Sequence, residues 1–160
     1  MDKIHRRQPI LVDYVASVEA YNADQTRIFS LGKLEKELIE AHEVMCRIQD
    51  EVAGKGRPGA VAGDLYQLAV EMAEEAGLGR WFMGYPVPVP FVGHGVGLEL
   101  NEWPVLGRGF DTILEAGMTV AVEPKVTFPD KGVVGIENTF VVTPTGMQRL
   151  NLFPDDIVVC

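Results

Sequence analysis

The chain has 160 residues, of which 47% are hydrophobic, and its formal net charge at pH 7 is −9. This length and apolar content suit one domain with a substantial core, spanning residues 1–160. The negative charge argues against nucleic acid or an anionic membrane surface as a partner, because both require a basic patch.

Strands and helices alternate in blocks along the first half of the chain. Alternating β-branched and aromatic residues predict a pair of strands over residues 8–30, with a short turn near Ser17–Glu19. Helical spacing of apolar residues then predicts helices over residues 34–53 and 61–76. Three prolines make residues 77–90 an irregular connection.

The second half is predicted to consist of strands. Phe91-Val92-Gly93-His94 begins this region, and two strand patterns run over Val120–Val126 and Val133–Val142 on either side of a turn at residues 129–132. A last turn at residues 143–146 precedes a tail. The order of two strands, two helices and several strands predicts an α+β domain with helices on one face of an antiparallel sheet.

The two cysteines and the apolar segments indicate the compartment. Cys46 and Cys160 are typical of unpaired thiols in a reducing cytoplasm. The N-terminus lacks an apolar stretch long enough for a signal peptide, and no run approaches transmembrane length. We therefore expect a cytoplasmic protein with no membrane partner.

Four carboxylates fall at positions that antiparallel pairing relates to one another. The numbers of Asp13 and Asp24 sum to 37, which places their turn between Val18 and Glu19, and those of Glu123 and Glu137 sum to 260, which centres a hairpin on residue 130. Each acid is thus expected to face its partner across a strand pair. Like charges directly opposite destabilise a sheet, so two such pairs favour a compensating cation over the alternative that each pair lies on a solvated face.

Burial and a nearby histidine strengthen the metal interpretation. Asp13, Glu123 and Glu137 lie in apolar runs that indicate buried positions, where an unpaired carboxylate costs several kcal/mol. His94 lies between Gly93 and Gly95, which allow close approach to the backbone. Imidazole with carboxylates is a ligand set for hydrolytic first-row metal ions, often bound in pairs.

Nearly the whole chain resembles the pita-bread metallopeptidases, which include methionine aminopeptidase, prolidase and Xaa-Pro aminopeptidase. The residues around Gly97–Leu100 are more similar to the Xaa-Pro branch. The resemblance rests on five segments in the family's order: Val12-Asp13-Tyr14, Ala23-Asp24-Gln25-Thr26-Arg27, Gly93-His94-Gly95-Val96-Gly97-Leu98-Glu99, Glu123-Pro124 and Ile136-Glu137-Asn138-Thr139.

The resemblance implies a dinuclear site. Asp13 would chelate one ion, His94 and Glu123 would bind the other, and Asp24 and Glu137 would bridge them. The ions would be manganese, cobalt, iron or zinc, among which the sequence does not choose. A bridging water would attack the scissile carbonyl of a short peptide, and Glu123 would transfer its proton. The implied reaction removes an N-terminal residue from a proline-containing peptide.

The chain departs from the family pattern at two points. Family peptidases carry a second histidine seven residues after the ligand histidine, where this chain has Asn101. Asparagine can donate a hydrogen bond to a substrate carbonyl but does not donate a proton at neutral pH. The family's upstream histidine is also absent, because the first of the two family half-folds is mostly missing; His5 and His42 are expected to be ordinary structural histidines.

These departures leave alternatives open. A catalytically weakened or inactive metal- or peptide-binding module of the same fold is one, and hydrolysis of a non-peptide C–N bond on the same scaffold is another. The missing half-fold also predicts an exposed apolar sheet surface. A homo-oligomer, or a longer chain of which this one is part, would cover it.

Overall fold

The computed structural model describes residues 3–160, which form two helices, ten strands and one short 3₁₀ turn. The helices are α1 (Lys36–Lys55) and α2 (Ala62–Glu75), and the 3₁₀ turn covers Gly79–Trp81. The strands are β1 (Pro9–Val18), β2 (Tyr21–Ser30), β3 (Phe91–Gly95), β4 (Glu102–Gly107), β5 (Thr119–Val122), β6 (Lys125–Phe128), β7 (Gly132–Gly135), β8 (Asn138–Thr143), β9 (Gly146–Arg149) and β10 (Val158–Val159).

The strands form three sheets. A five-stranded antiparallel sheet has the order β4-β3-β5-β8-β9, a second sheet has the order β1-β2-β10, and β6 and β7 form a separate hairpin. The short β10 runs parallel to β2, whereas the other pairings are antiparallel. An isolated antiparallel bridge between Thr26 and Glu137 connects β2 with the segment between β7 and β8. This bridge brings two of the predicted ligand segments together.

The β1–β2 hairpin confirms the predicted strand pair but not its register. Asp13 pairs with Thr26, and Asp24 pairs with Val15. The predicted direct pairing of Asp13 with Asp24 is wrong because the turn is centred one residue later, on Glu19 and Ala20, which both adopt left-handed backbone conformations. The two aspartates remain diagonal neighbours on one face of the hairpin.

The hairpin of β6 and β7 has the register predicted from the sequence. Val126 pairs with Val134, and Phe128 with Gly132, around a turn at Asp130. The two long predicted strands are each interrupted, however, because β5 ends before Glu123-Pro124 and β8 begins after Glu137. Pro124 lacks the N–H that a continuous ladder needs. Both glutamates therefore lie where the chain leaves one sheet and enters another.

Both helices pack their apolar stripes against the strands. The predicted stripe of the first helix is buried throughout. α2 contributes Leu65, Ala69 and Ala73 to the same core. The buried stripe residues of the first helix segment are Leu34, Leu38, Ala41, Met45, Ile48 and Val52.

The outer strand β1 exposes apolar side chains, as expected for a sheet surface without a covering layer. Val12, Val15 and Val18 are all exposed, and Val18 retains 73% of its accessible surface. Tyr14 is exposed as well. No described helix is both long and apolar enough to cross a membrane. Cys46 and Cys160 are both free thiols, as predicted.

The residues after β9 were predicted to be a tail, but they are part of the packed structure. The fully buried Arg27 donates from Nε to the Pro154 carbonyl (2.8 Å) and from Nη2 to the Phe153 carbonyl (2.7 Å). Its Nη2 also lies 3.2 Å from Asp155, which Arg149 binds in turn. Asn138 accepts another of its hydrogen bonds, at 2.7 Å. A network of hydrogen bonds and ion pairs therefore holds the C-terminal segment in place. Hydrophobic periodicity in the sequence does not reveal such a network.

We predict that Arg27→Ala lowers the free energy of unfolding by about 3–5 kcal/mol, because it leaves the buried Asn138 Oδ1 atom and the Pro154 carbonyl without their donor. Urea denaturation of the metal-free chain measures this loss. Arg108→Ala, at an exposed position, is the matched control and should change stability by less than about 0.5 kcal/mol. Equal stabilities of the two variants would contradict the anchoring role of Arg27.

Candidate metal centre

His94 lies on β3, between the edge strand β4 and the central strand β5 of the five-stranded sheet. A Cβ atom at Gly93 would overlap the Ala121 carbonyl oxygen, and one at Gly95 would overlap that of Trp103. Only glycine fits at these two positions, because the neighbouring strands lie too close for a Cβ atom. The prediction that they admit a ligand or substrate to the backbone assigned their role incorrectly.

The hydrogen bond made by the His94 ring fixes which nitrogen faces the acids. Nδ1 lies 3.0 Å from the Gly95 carbonyl oxygen, which can only accept. The proton of the neutral ring therefore resides on Nδ1, and the Nε2 lone pair points the other way. A backbone carbonyl that orients the imidazole in this manner is a common second partner of metal-binding histidines.

Three carboxylates surround the His94 Nε2 atom. It lies 3.6 Å from Glu123 Oε1, 3.8 Å from Glu137 Oε1 and 3.9 Å from Asp24 Oδ2. Ligand atoms of a zinc-like ion lie about 2.0–2.2 Å from it, so two ligands of one ion are at most about 4.4 Å apart. The three separations from His94 Nε2 are all below this limit, and Asp24, His94 and Glu137 are grouped closely enough to hold one ion. These spacings fit a divalent ion.

The surrounding residues hold two of the acids in place. Thr26 Oγ1 donates to Glu137 Oε2 at 2.6 Å, and Arg27 Nη1 donates to the Glu137 carbonyl at 2.8 Å. Thr139 Oγ1 donates to the Asp24 carbonyl at 2.9 Å. Asp24 Oδ1, in contrast, is buried without any hydrogen-bond partner. A buried carboxylate oxygen without a donor fits a position that binds a cation.

The electrostatics of the centre agree with this geometry. Burial, followed by the charge of Glu123, raises the pKa of Glu137 to about 8. Burial and then the charge of Asp13 also raise the pKa of Asp24. Both shifts have the sign expected of carboxylates gathered out of water with too little positive charge. Divalent ions would supply that charge, so the donor set fits the metal that the sequence predicted.

The other two predicted site residues lie at the margin of this group. Asp13 is exposed, which contradicts its predicted burial, because β1 is the uncovered edge of its sheet. It is near enough to influence the pKa of Asp24 but lies outside the Asp24–His94–Glu137 group. Asn101 is exposed as well, in the segment just before β4.

Asn101 faces a cavity of about 460 Å³ beside the metal centre. His94 forms part of its wall, and Trp103 and Phe110 pack edge to face on the opposite side, with ring centroids 5.4 Å apart. A larger cavity of about 690 Å³ lies between α1 and the C-terminal segment and contains none of the predicted ligands. It includes His42, whose Nε2 lies 2.7 Å from the Asp155 carbonyl, in agreement with its predicted structural role.

Sequence reasoning missed one residue of the centre. Lys125, the first residue of β6, places its ammonium Nζ 2.5 Å from Glu123 Oε2. Lys125 follows Glu123 by two residues, with only Pro124 between them, and this spacing could have indicated that the two side chains meet. A search for acids and histidines alone does not find a lysine. The aromatic wall formed by Phe91, Trp103 and Phe110 was not predicted either.

Comparison with known proteins identifies relatives for most of the chain. The profile of metallopeptidase family M24 matches residues 1–144. An Xaa-Pro dipeptidase of Pyrococcus furiosus is 33% identical over 148 residues, which are 92% of this chain and 41% of that protein. The chain thus spans about two fifths of the length of the curated relatives that it matches.

Solved structures agree with the sequence matches. An X-Pro aminopeptidase from Thermotoga maritima superposes with a TM-score of 0.90 at 30% identity, covering 97% of this chain and 42% of that one. A dipeptidase from Pyrococcus horikoshii superposes with a TM-score of 0.91 at 32% identity, covering 99% of this chain and 43% of that one. These superpositions confirm the predicted α+β pita-bread fold.

The raised pKa of Glu137 predicts a pH dependence of stability. Its ordinary pKa is 4.5, so the folded chain holds this proton more tightly than the unfolded chain. The resulting stabilisation is complete below about pH 4.5 and is lost as the pH rises towards about 8. We expect the Tm of the chain in EDTA to fall across this range, and Glu137→Gln, which cannot ionise, to flatten the fall. Parallel Tm curves for the two proteins would contradict the assignment.

Proposed function

The chain belongs to metallopeptidase family M24, and we propose that it forms the metal-dependent catalytic centre of a hydrolase acting on Xaa-Pro peptides. The reaction would remove an N-terminal residue that precedes proline. The observation that carries this proposal is the convergence of three buried carboxylates on the Nε2 atom of His94. The dipeptidase and aminopeptidase activities named for its relatives supply the substrate class.

The proposed centre holds two divalent ions. Asp24, His94 and Glu137 would form its buried part, and Glu123 would add its Oε1 atom. Asp13 would bind the second ion from the exposed side, with Asp24 and Glu137 shared between the two. Manganese, cobalt, iron or zinc suits these oxygen and nitrogen ligands. Two divalent ions would balance the charge of the four carboxylates.

When bound, the ions would polarise the scissile carbonyl and lower the pKa of the attacking water. Glu123 would accept the proton of that water on a carboxylate oxygen and pass it to the leaving amine of proline. Its place beside His94, at the boundary between β5 and β6, puts it next to the cavity that Asn101 and Trp103 line. Asn101 would donate an N–H bond to a substrate carbonyl, and the aromatic wall would exclude water from the bound peptide.

A binding module of the same fold is the second candidate. Asn101 favours it, because an amide supplies no proton at this position. Retention of all five predicted metal ligands favours the hydrolase. Hydrolysis of a non-peptide C–N bond would use the same residues and differ only in the occupant of the cavity. A reducing cytoplasmic setting, expected from the two free thiols, belongs to the proposal as well.

The exposed apolar side chains of β1 are relevant to whether the chain associates with another protein surface. We propose that the face of β1 formed by Val12, Tyr14 and Val18 is covered by a second copy of the chain or by a further segment of a longer one. Asp13 lies on the opposite face of the strand, which it shares with Asp24 of β2.

Metal analysis and a peptide assay test the proposed function together. The chain purified without chelator is expected to contain up to two divalent ions and, with manganese present, to hydrolyse Xaa-Pro dipeptides or tripeptides. Glu123→Gln should lower kcat by roughly 10²–10⁴ because it removes the proton acceptor. The exposed Glu115→Gln is the control and should leave kcat unchanged. Absence of metal from the purified chain would remove the hydrolase proposal, and bound metal without hydrolysis would favour the binding module.

Asn101→His tests the residue that departs from the family pattern. A histidine here restores a proton donor beside the substrate, so we predict that turnover of an Xaa-Pro dipeptide rises by up to about 10². The pH profile of kcat should also gain a limb near the pKa of histidine, about 6.5. Unchanged turnover and an unchanged pH profile in this variant would show that the residue at this position takes no part in proton transfer.

A further inference from the structure

One positively charged side chain enters the acid cluster. The Nζ atom of Lys125 lies 2.5 Å from Glu123 Oε2, while the other oxygen of the same carboxylate faces His94. Across residues 3–160, no other ammonium or guanidinium group lies within 4.0 Å of a carboxylate oxygen of Asp13, Asp24, Glu123 or Glu137. Lys125 is therefore the one lysine or arginine that pairs directly with the proposed metal ligands.

The backbone is arranged to place this lysine. Pro124 ends the ladder of β5, and the Lys125 carbonyl then accepts from the Met83 N–H at 2.8 Å. Its cross-strand partner is Gly135, where a Cβ atom would lie only 2.5 Å from the Lys125 Cβ. A side chain at Gly135 would thus displace the lysine stem. The pairing of Lys125 with Gly135 is what directs the ammonium to Glu123.

The environment keeps the ammonium charged although it is largely out of solvent. Only 24% of the side chain is exposed. Burial opposes the charge, but Glu123, followed by Glu137 and Asp13, raises the pKa of Lys125 above its ordinary value. A hydrogen bond between charged groups at this separation is among the stronger polar contacts in proteins.

We propose that Lys125 is the resident cation of the centre when no metal is bound, and that a divalent ion must displace its ammonium from Glu123. The inference rests on the proposed function only in requiring a divalent-ion site, since it does not depend on peptide hydrolysis. Lys125 is thus a positioning residue: it neutralises part of the acid cluster during folding and competes with the metal for Glu123 afterwards. The two cations would share the single negative charge of one carboxylate, so each weakens the attraction that Glu123 offers to the other.

This role predicts two effects of opposite sign. Removing the ammonium leaves Glu123 without its partner, so the metal-free chain becomes less stable. The same change removes the competitor and a repelling charge, so a divalent ion binds more tightly. A lysine with a purely structural role would lower stability and leave affinity unchanged or weaker. A lysine that supports a metal ligand would lower the affinity when it is lost.

Lys125→Met tests the proposal, with manganese(II) as the probe. After removal of metal by EDTA and dialysis, the Tm of the metal-free chain is measured, and the Kd for manganese(II) is obtained by isothermal titration calorimetry. We expect a lower Tm for the variant and a Kd about tenfold lower than that of the original chain. The increase in Tm on saturation with manganese(II) should be larger in the variant.

Three further variants make the result specific. Lys125→Arg keeps the charge and should resemble the original chain in both measurements. Lys131 lies on the same hairpin as Lys125, but it is exposed and pairs with Glu35 and Glu37. Lys131→Met should therefore leave the Kd unchanged. Lys125→Gln keeps an N–H donor for Glu123 without the charge and replaces Lys125→Met in both measurements if that variant does not fold.

The proposal is overturned if the original chain binds manganese(II) and neither neutral variant binds it more tightly, in which case the metal site itself still stands. It is also overturned if Lys125→Arg tightens binding as much as the neutral variants do, since charge would then not be the cause. If neither the original chain nor the variants bind manganese(II), the metal centre of the proposed function fails along with this inference.

Discussion

The structure depends on how three carboxylates, those of Asp24, Glu123 and Glu137, are held close together with little water around them. Desolvation and mutual repulsion both oppose ionisation, which is why the pKa of Glu137 rises to about 8. The His94 ring adds one nitrogen ligand atom, and Lys125 adds one positive charge. The cluster thus remains short of positive charge in the metal-free chain. A divalent ion would supply the positive charge that the cluster lacks. The same excess of negative charge makes the centre attract cations strongly.

The fold brings these acids together by interrupting its strands. Glu123 and Glu137 lie at the points where the chain passes between the β6–β7 hairpin and the five-stranded sheet. At those points the backbone leaves regular pairing, and Arg27 compensates by donating to the Glu137 carbonyl. The C-terminal segment in turn fixes Arg27. Stability and function are therefore coupled through one buried arginine whose contacts reach both the site and the end of the chain.

Periodicity predicted the elements well because burial controls it directly. The apolar stripe from Leu34 to Val52 and the hairpin centred on Asp130 are both present as predicted. The register of β1 and β2 was missed because a shift of one residue in the turn changes every pair by two, and alternation alone does not locate a turn that precisely. The C-terminal segment was missed because hydrogen bonds to backbone carbonyls, and not an apolar pattern, hold it.

For the site, the types of ligand were predictable and their environment was not. His94 and three of the acids converge, whereas the exposure of Asp13 and the approach of Lys125 depend on tertiary packing. The most direct test is anomalous diffraction from crystals grown with manganese(II). We expect a manganese peak within about 2.0–2.5 Å of ligand atoms from Asp24, His94 and Glu137. Crystals in which these side chains point apart, or enclose only solvent at saturating manganese, would contradict this expectation.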